Sequence, residues 1–267
     1  MTEAALSKDA LLAVAHFGSI ENKIYLLRSN ECPPEAVRLV IHNADISRPL
    51  TLLPLLHLPP EYLEQGDWVL VGYFLTPSHL IHLYTTIEDI NINYHRLRLE
   101  DIGVNEVHVA PRYLAQTLAV AQFSEFEAFY HFLYNPKQYR CSNKIRSMLW
   151  LAIGTGLALN PYVSMEFLFK LRPMGNYFKL AVDLNPQMGT DTKRLRHIFK
   201  LLTVDENTQD ASSYSMQIKY HYILPYEMML KRLFCHPNLP LELLLQTVMD
   251  NTPLADLARE ALEAREG

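Results

Sequence analysis

Prolines constrain this chain more than any other residue. Inside a helix a proline clashes with the preceding turn and removes an N–H that the hydrogen-bond ladder needs. At the first helical position its missing N–H has no intrahelical partner to lose. Sixteen prolines stand against nine glycines, and most lie where a helix could begin. Three residues after Pro34, Pro60, Pro77, Pro111, Pro225 and Pro240 come Val37, Leu63, Leu80, Leu114, Met228 and Leu243, all apolar. Pro161 departs from the rule, with Ser164 at that place. Two residues before Pro34, Pro60, Pro77, Pro111 and Pro161 stand Cys32, Leu58, Leu75, Val109 and Leu159, positioned to fold back as hydrophobic staples. The intervals between these prolines are irregular. The pattern predicts a mainly α fold, an irregular α-solenoid-like stack of short helix pairs opened by proline.

The clearest pair is HPNLPLELLLQTVMDNTPLADLAREALEAR, His236–Arg265. Pro240 heads a helix over Leu241–Met249, and Pro253 heads one over Leu254–Arg265. Leu241, Leu244, Leu245, Val248 and Met249 fall at helical spacing, as do Leu254, Leu257, Ala258, Ala261 and Leu262. Both stripes are expected to be buried, because helices this short depend on tertiary packing. Asp256, Arg259, Glu260 and Glu263 then form a polar outer face suited to the end of a stack.

Upstream, residues 5–29 read as an opening helix or helix pair with a break at Gly18–Ser19. Pro34 opens EAVRLVIHN, residues 45–60 are proline-punctuated turns, and Thr76–Pro77 opens SHLIHLYTTI as N-cap and first residue. Residues 67–75 fit a buried strand or a helix equally. Pro111 opens RYLAQTLAVAQF, and Ser124 with Glu127 has capping-box spacing before AFYHFLYN. Residues 88–101 are polar and belong at the surface. The apolar run 148–159 is too short to span a bilayer and reads as a core helix, with Gly154 and Gly156 allowing close packing. Asn160–Pro161 pairs a capping residue with proline before YVSMEFLFKL. Between 176 and 224 two readings stand: a small β-hairpin pairing NYFKLAVDL with QIKYHYIL, or helix in both places. The polar run 205–215 reads as a mobile loop.

A net charge of −5 and a pI near 6.1 argue against a dedicated nucleic-acid binder, which presents a basic excess. Cys32, Cys141 and Cys235 are far apart and form no CxxC pair, so they read as free thiols in a reducing compartment. The N-terminus lacks the basic-then-apolar layout of a secretion signal. These points place the protein in the cytoplasm with no transmembrane segment.

No catalytic, cofactor or metal site is visible. His79 and His82 are three apart but lack a third ligand with metal-site spacing. Neither a glycine-rich phosphate loop nor a GxSxG elbow occurs. Neighbouring carboxylates such as Glu88 and Asp89 point apart in regular structure. Two surfaces invite a partner instead. SEFEAFYHFLYN carries more aromatic surface than one helix face needs, with Phe126, Phe129 and Tyr130 on one side and Phe123 and Phe132 toward others. KRLRHIFKLL sets Lys193, Arg194, Arg196 and Lys200 against an apolar face. Phe123, Phe126, Phe132, Lys193, Arg194, Arg196 and Lys200 are the candidate partner surface, and an acidic protein fits it better than nucleic acid.

The segments NECPPEAVRLVIHN, LPPEYLEQGDWVLVGYFLTPSHLIHL, ALNPYVSMEFLFKL and the C-terminal pair resemble bacterial variant leucine-rich repeats and HEAT-type helical repeats. The resemblance covers about half the chain, with the last segment the best match. In those families an Asn/His-Pro turn opens a short helix, and a second helix follows an acidic turn. The resemblance implies one helical domain over 1–267. It would subdivide into helical repeats at 1–170, an irregular insert at 171–224 and a helical cap at 225–267. It also implies a non-catalytic scaffold or adaptor for protein–protein interaction, or a structural subunit of a larger bacterial assembly of the secretion type. The alternative is an enzyme whose His and carboxylate groups meet only in the fold.

Overall fold

In a computed structural model the chain is mostly α-helical. The structure describes residues 7–93, 110–123, 126–203, 226–250 and 253–266, and among them there is no strand. These residues fall into two compact units, Met1–Ile153 and Gly154–Gly267.

The first unit opens with α1 (Lys8–Phe17) and α2 (Ile20–Arg28). Ser7 and Ser19 cap them, each hydroxyl accepting an N–H from the first turn, and the break at Gly18–Ser19 is where the sequence puts it. Helix α3 (Pro34–His42) starts on its proline and buries Ala36, Val37, Val40 and Ile41. Pro49–His57 is a 3₁₀ helix whose Leu52, Leu55 and Leu56 pack among α2, α5 (Pro77–Asn93) and α6 (Ala110–Leu118). Closely spaced prolines favour this tighter winding, since Pro54 has no N–H to give an α-helical ladder.

Residues 67–74 resolve as helix, within α4 (Gln65–Phe74), and Leu75 is its C-cap. Glu64 and Asp67 form a reciprocal capping box there, a helix-start signal that the β-like run of apolar residues obscures. Gly72 lets α4 meet the chain closely, because a Cβ there would lie 2.1 Å from the Gln122 carbonyl oxygen. Thr76 caps α5 as expected, its Oγ1 accepting from the His79 N–H at 3.3 Å. Then come α7 (Glu127–Tyr134) and α8 (Asn143–Leu159). The indole of Trp150 donates to the Leu133 carbonyl at 2.9 Å and ties these two together. The capping-box residue Ser124 and the expected surface segment beyond residue 93 lie outside the described residues.

The second unit contains α9 (Met165–Leu171), α10 (Asn176–Asp183), α11 (Thr192–Thr203), α12 (Tyr226–Phe234), α13 (Leu241–Met249) and α14 (Ala255–Glu266). Residues 176–183 are therefore helical, and the hairpin reading does not hold there. Their alternation of apolar and polar residues is short enough to satisfy either period, and burial of Phe178, Leu180, Ala181 and Val182 selects the helix. The other half of that hairpin, 217–224, and the run 205–215 lie outside the described residues. Gly154 provides a close approach as expected: a Cβ on it would sit 2.2 Å from the Phe178 ring.

The prolines do not all stand at the first helical position. Pro240 is the N-cap of α13, Pro253 precedes α14 by two residues, and Pro161 lies in a turn whose following helix is capped by Ser164. That explains why Pro161 breaks the register: the serine hydroxyl accepts the Phe167 N–H at 3.3 Å.

Among the described residues no helix is long and apolar enough to cross a membrane. The three cysteines are unpaired, and burial pushes the Cys32 thiol up to about 11, so it stays protonated.

Candidate interaction surface

In the second unit, helices begin from one recurring turn. At Asn160 the backbone N–H donates to the Leu157 carbonyl, Oδ1 accepts the Tyr162 N–H, and the carbonyl accepts the Val163 N–H, at 3.2, 2.8 and 3.4 Å. At Asn185 the same three bonds reach Val182, Gln187 and Met188, at 2.9, 3.1 and 3.0 Å. At His236 they reach Leu233, Asn238 and Leu239, at 3.1, 3.2 and 3.0 Å, with the ring Nδ1 replacing the amide oxygen as acceptor. Each of the three residues is followed by proline. A short side chain that accepts an N–H two residues on mimics a backbone turn. Ser29 in the first unit makes the same three bonds, through Oγ, to Leu26, Glu31 and Cys32.

The second unit's turns are also bonded to one another. Asn185 Nδ2 donates to the carbonyls of Ala158 and Asn160 at 2.8 and 2.9 Å, and Gln187 Nε2 donates to those of Pro161 and Val163. Asn238 Nδ2 donates to the Thr190 carbonyl at 2.9 Å. Arg265 closes the series on the carbonyls of Phe234, His236 and Leu239. Asn160 and Asn185 are 25 residues apart, and Asn135–Pro136 stands one such interval earlier in the sequence. This spacing is a repeat signal that alignment on prolines alone does not reveal.

Asp183, only 1% exposed, fixes the middle of the unit. Arg172 donates to its Oδ1 from Nε and Nη2 at 3.1 and 2.7 Å, and Arg194 Nε reaches its Oδ2 at 2.6 Å. One carboxylate thus joins the segment after α9, the end of α10 and the first turn of α11. A buried charge is tolerable only with such partners.

With those bonds in place, α11 packs on α12, and its first turn meets the start of α13. Asp191 caps α11, its Oδ1 accepting the Arg194 N–H at 2.8 Å. Leu195, Ile198 and Leu202 go inward on α11, and Leu244 and Thr247 on α13. Thr247 satisfies its hydroxyl on the Leu243 carbonyl. Thr192 Oγ1 donates to the Asn238 carbonyl at 3.3 Å, and the Arg196 guanidinium pairs with Glu242. Both contacts join the start of α11 to the turn and first residues of α13. The Glu242 carboxyl is held below its ordinary range by its own backbone N–H and by Arg196.

The basic residues of the expected surface divide. Arg194 turns inward to Asp183 and is not offered to a partner, whereas Lys193, Arg196 and Lys200 are exposed. Among the described residues Lys193 and Lys200 form no ion pair. The aromatic part of the expectation needs correction. Phe132 is fully buried, as are Phe129 and Leu133, so it cannot belong to an exposed surface. Phe123 and Phe126 are half-buried and meet edge to face, with ring centroids 5.6 Å apart, and Phe123 also packs on Phe129 at 4.9 Å. A helix with apolar residues on two faces is here packed on both.

Sequence reasoning missed the largest exposed apolar feature of the unit. Leu241, Leu245 and Met249 are 52%, 46% and 83% exposed, although the apolar stripe of α13 is expected to be buried. Periodicity finds that α13 has apolar residues at i, i+4 and i+8, but the helix is apolar nearly all round. Its neighbours cover the side of Leu244 and Thr247 instead. The outer face of α14, with Asp256, Arg259, Glu260 and Glu263, is exposed as expected.

His79 and His82 do not converge on a site. The His79 Nδ1 lies 2.9 Å from the Phe74 carbonyl, while His82 faces outward. No group of three or more His, Cys, Asp and Glu side chains placed to hold a metal ion occurs among the described residues.

Fold and surface together define a mostly α-helical protein with an exposed apolar line on α13 and exposed basic residues on α11. Compared with known proteins, the chain matches no family model, and no curated protein or solved structure is significantly similar to it.

Proposed function

We propose that the protein is a non-catalytic scaffold or adaptor that binds another protein through the exposed apolar residues of α13. The observation that carries this reading is the line of Leu241, Leu245 and Met249, left open on α13 next to the Arg196–Glu242 pair. Apolar residues grouped on one helix and rimmed by charge are what partner surfaces present. The recurrence of one turn at Asn160, Asn185 and His236 supports a stack of helical repeats, an architecture whose side faces usually serve binding. Asp183 and Asn185, both buried, hold neighbouring helices and turns, which is a structural use of polar groups.

The test is purification of the tagged full chain from its native cells, followed by light scattering. A complex of fixed stoichiometry that survives gel filtration supports the scaffold. A free monomer with no retained protein at any salt concentration refutes it. A stoichiometric complex of many different chains would identify the subunit of a larger assembly.

A further inference from the structure

We infer that Arg172 and Arg194 form a binding site for the phosphate group of a small molecule. The site goes beyond the scaffold reading and does not depend on it.

Asp183 organises the site. It is 1% exposed, and its one carboxylate fixes two guanidinium groups. Arg172 Nε and Nη2 lie 3.1 and 2.7 Å from Oδ1, and Arg194 Nε lies 2.6 Å from Oδ2. The two oxygens of a carboxylate are about 2.2 Å apart, so the bonded nitrogens of the two arginines stand within about 7.5 Å of each other. Thr190 Oγ1 donates to the Asp183 carbonyl at 2.5 Å and ties the loop before α11 to the end of α10. The spacing of the two arginines is therefore set before any ligand arrives.

The charges do not balance. One arginine neutralises a buried aspartate, and the second leaves an excess. Lys179 is exposed one turn before Asp183 on the same side of α10 and adds another positive charge. Asp191, which caps α11 through the Arg194 N–H, offsets one of them. These five side chains keep one positive charge uncompensated.

Hydrogen-bond donors are also left over. A guanidinium carries five N–H groups. Asp183 takes two from Arg172 and one from Arg194. The Arg172 and Arg194 side chains are 41% and 28% exposed, so solvent reaches both while the carboxylate behind them is sealed. A phosphate bridges donors up to about 8 Å apart, and the fork of each arginine matches its oxygens. A carboxylate fits less well, because its two coplanar oxygens engage a single fork. Arg194 is turned in from the exposed basic row of α11, which suits a small anion that enters better than the flat surface of a partner protein.

The experiment uses the full chain with arginine labelled by nitrogen-15. Its Nε–H signals are followed by NMR as inorganic phosphate is added at a pH of about 7.5, where the dianion prevails, and at constant ionic strength. The signals of Arg172 and Arg194 should shift together and saturate with a Kd of about 1 mM, while those of other arginines stay in place. R172K and R194K keep the charge but lose the fork, and each should weaken binding at least about five-fold. R38K in the first unit should leave it unchanged. The unsubstituted chain alone decides whether phosphate binds, so the answer stands even where R194K unfolds.

No saturable shift up to about 20 mM phosphate overturns the inference, as does an equal response to acetate. Shifts spread over all arginines mean an adventitious ion only and overturn it too. Free phosphoserine and a short phosphoserine peptide then separate the sources. Equal affinity for the two supports a small phosphorylated molecule. A peptide bound at least about ten-fold more tightly overturns that assignment and gives the site to a modified protein.

Discussion

The two units bury different chemistry. Among the described residues Met1–Ile153 buries few polar side chains, Thr117 and the Tyr84 hydroxyl among them. Those of Gly154–Gly267 are Thr155, Asn160, Asp183, Asn185, Thr190, His236 and Thr247. The first unit places its charge pairs at the surface, as in Lys8–Glu35 and Arg38 with Glu64 and Asp67. Its interior is set by apolar packing around the 3₁₀ segment at Pro49–His57. The second unit places an acid between two arginines and joins one turn to the next with side-chain amides. Apolar packing tolerates sliding and repacking. A buried hydrogen bond does not, because a displaced partner leaves a group with no water to replace it. The second unit is therefore built to hold its neighbouring turns and helix starts in register.

The largest test of this contrast is Asp183→Asn. It leaves Arg172 and Arg194 facing an uncharged amide, and the second unit should lose about 3 kcal/mol. Arg38→Ala in the first unit, where the pairs are solvent-exposed, should change stability by less than about 1 kcal/mol. Hydrogen exchange followed by mass spectrometry reads each unit separately. Similar losses from the two variants would erase the distinction.

Next in size is Asn185→Ala, which removes two donated bonds and one accepted bond, strands the Ala158 carbonyl and leaves that of Asn160 with the Val163 N–H. The expected loss is about 2 kcal/mol. Asn135→Ala takes away the asparagine one interval before Asn160, whose side chain caps no N–H, and should change stability by no more than about 0.5 kcal/mol. Denaturant titration of both variants compares them. Equal effects would mean that the turn, and not its bonding to its neighbour, is what matters.

The smallest effect is pH-dependent and confined to the second unit. His236 must keep Nδ1 unprotonated to accept the Asn238 N–H, and its Nε2 is buried without a partner among the described residues. Burial, and then the neighbouring Arg265 guanidinium, lower its pKa below the ordinary 6.5. The unfolded chain takes up the proton first. Stability is therefore complete above about 6.5 and declines as pH falls through that value and on through the lower folded one. His236→Asn supplies the acceptor found at Asn160 and Asn185 and cannot titrate. It should leave stability at pH 8 nearly unchanged and flatten the acid limb of a melting-temperature profile. An unaltered acid limb would assign that limb to other groups.

Much of the fold was legible because helix starts are written locally. Ser7, Ser19, Thr76 and Pro34 each act on their own first turn, so a short window suffices to find α1, α2, α3 and α5. The recurring turn was less so. Reading the chain by its prolines puts Pro161 among the helix openers, whereas its role is to follow Asn160 in a turn. The signal that would have found it is Asn-Pro at 135, 160 and 185. Segments 67–75 and 176–183 stayed ambiguous because short apolar runs satisfy two periods at once, and only their packing chose helix.

The candidate surface was legible in charge but not in direction. The sequence alone set the basic residues of 193–202 against an apolar face and showed that the last two helices need apolar cover. It could not assign Arg194 to Asp183 and Lys193 to solvent, since that depends on where α10 ends relative to α11. Nor could it decide that Phe132 is buried while Leu245 and Met249 are not. Hydrophobicity is a property of a residue and is read one position at a time. Exposure depends on which neighbours arrive, and a helix apolar on every side gives them no instruction about which side to cover.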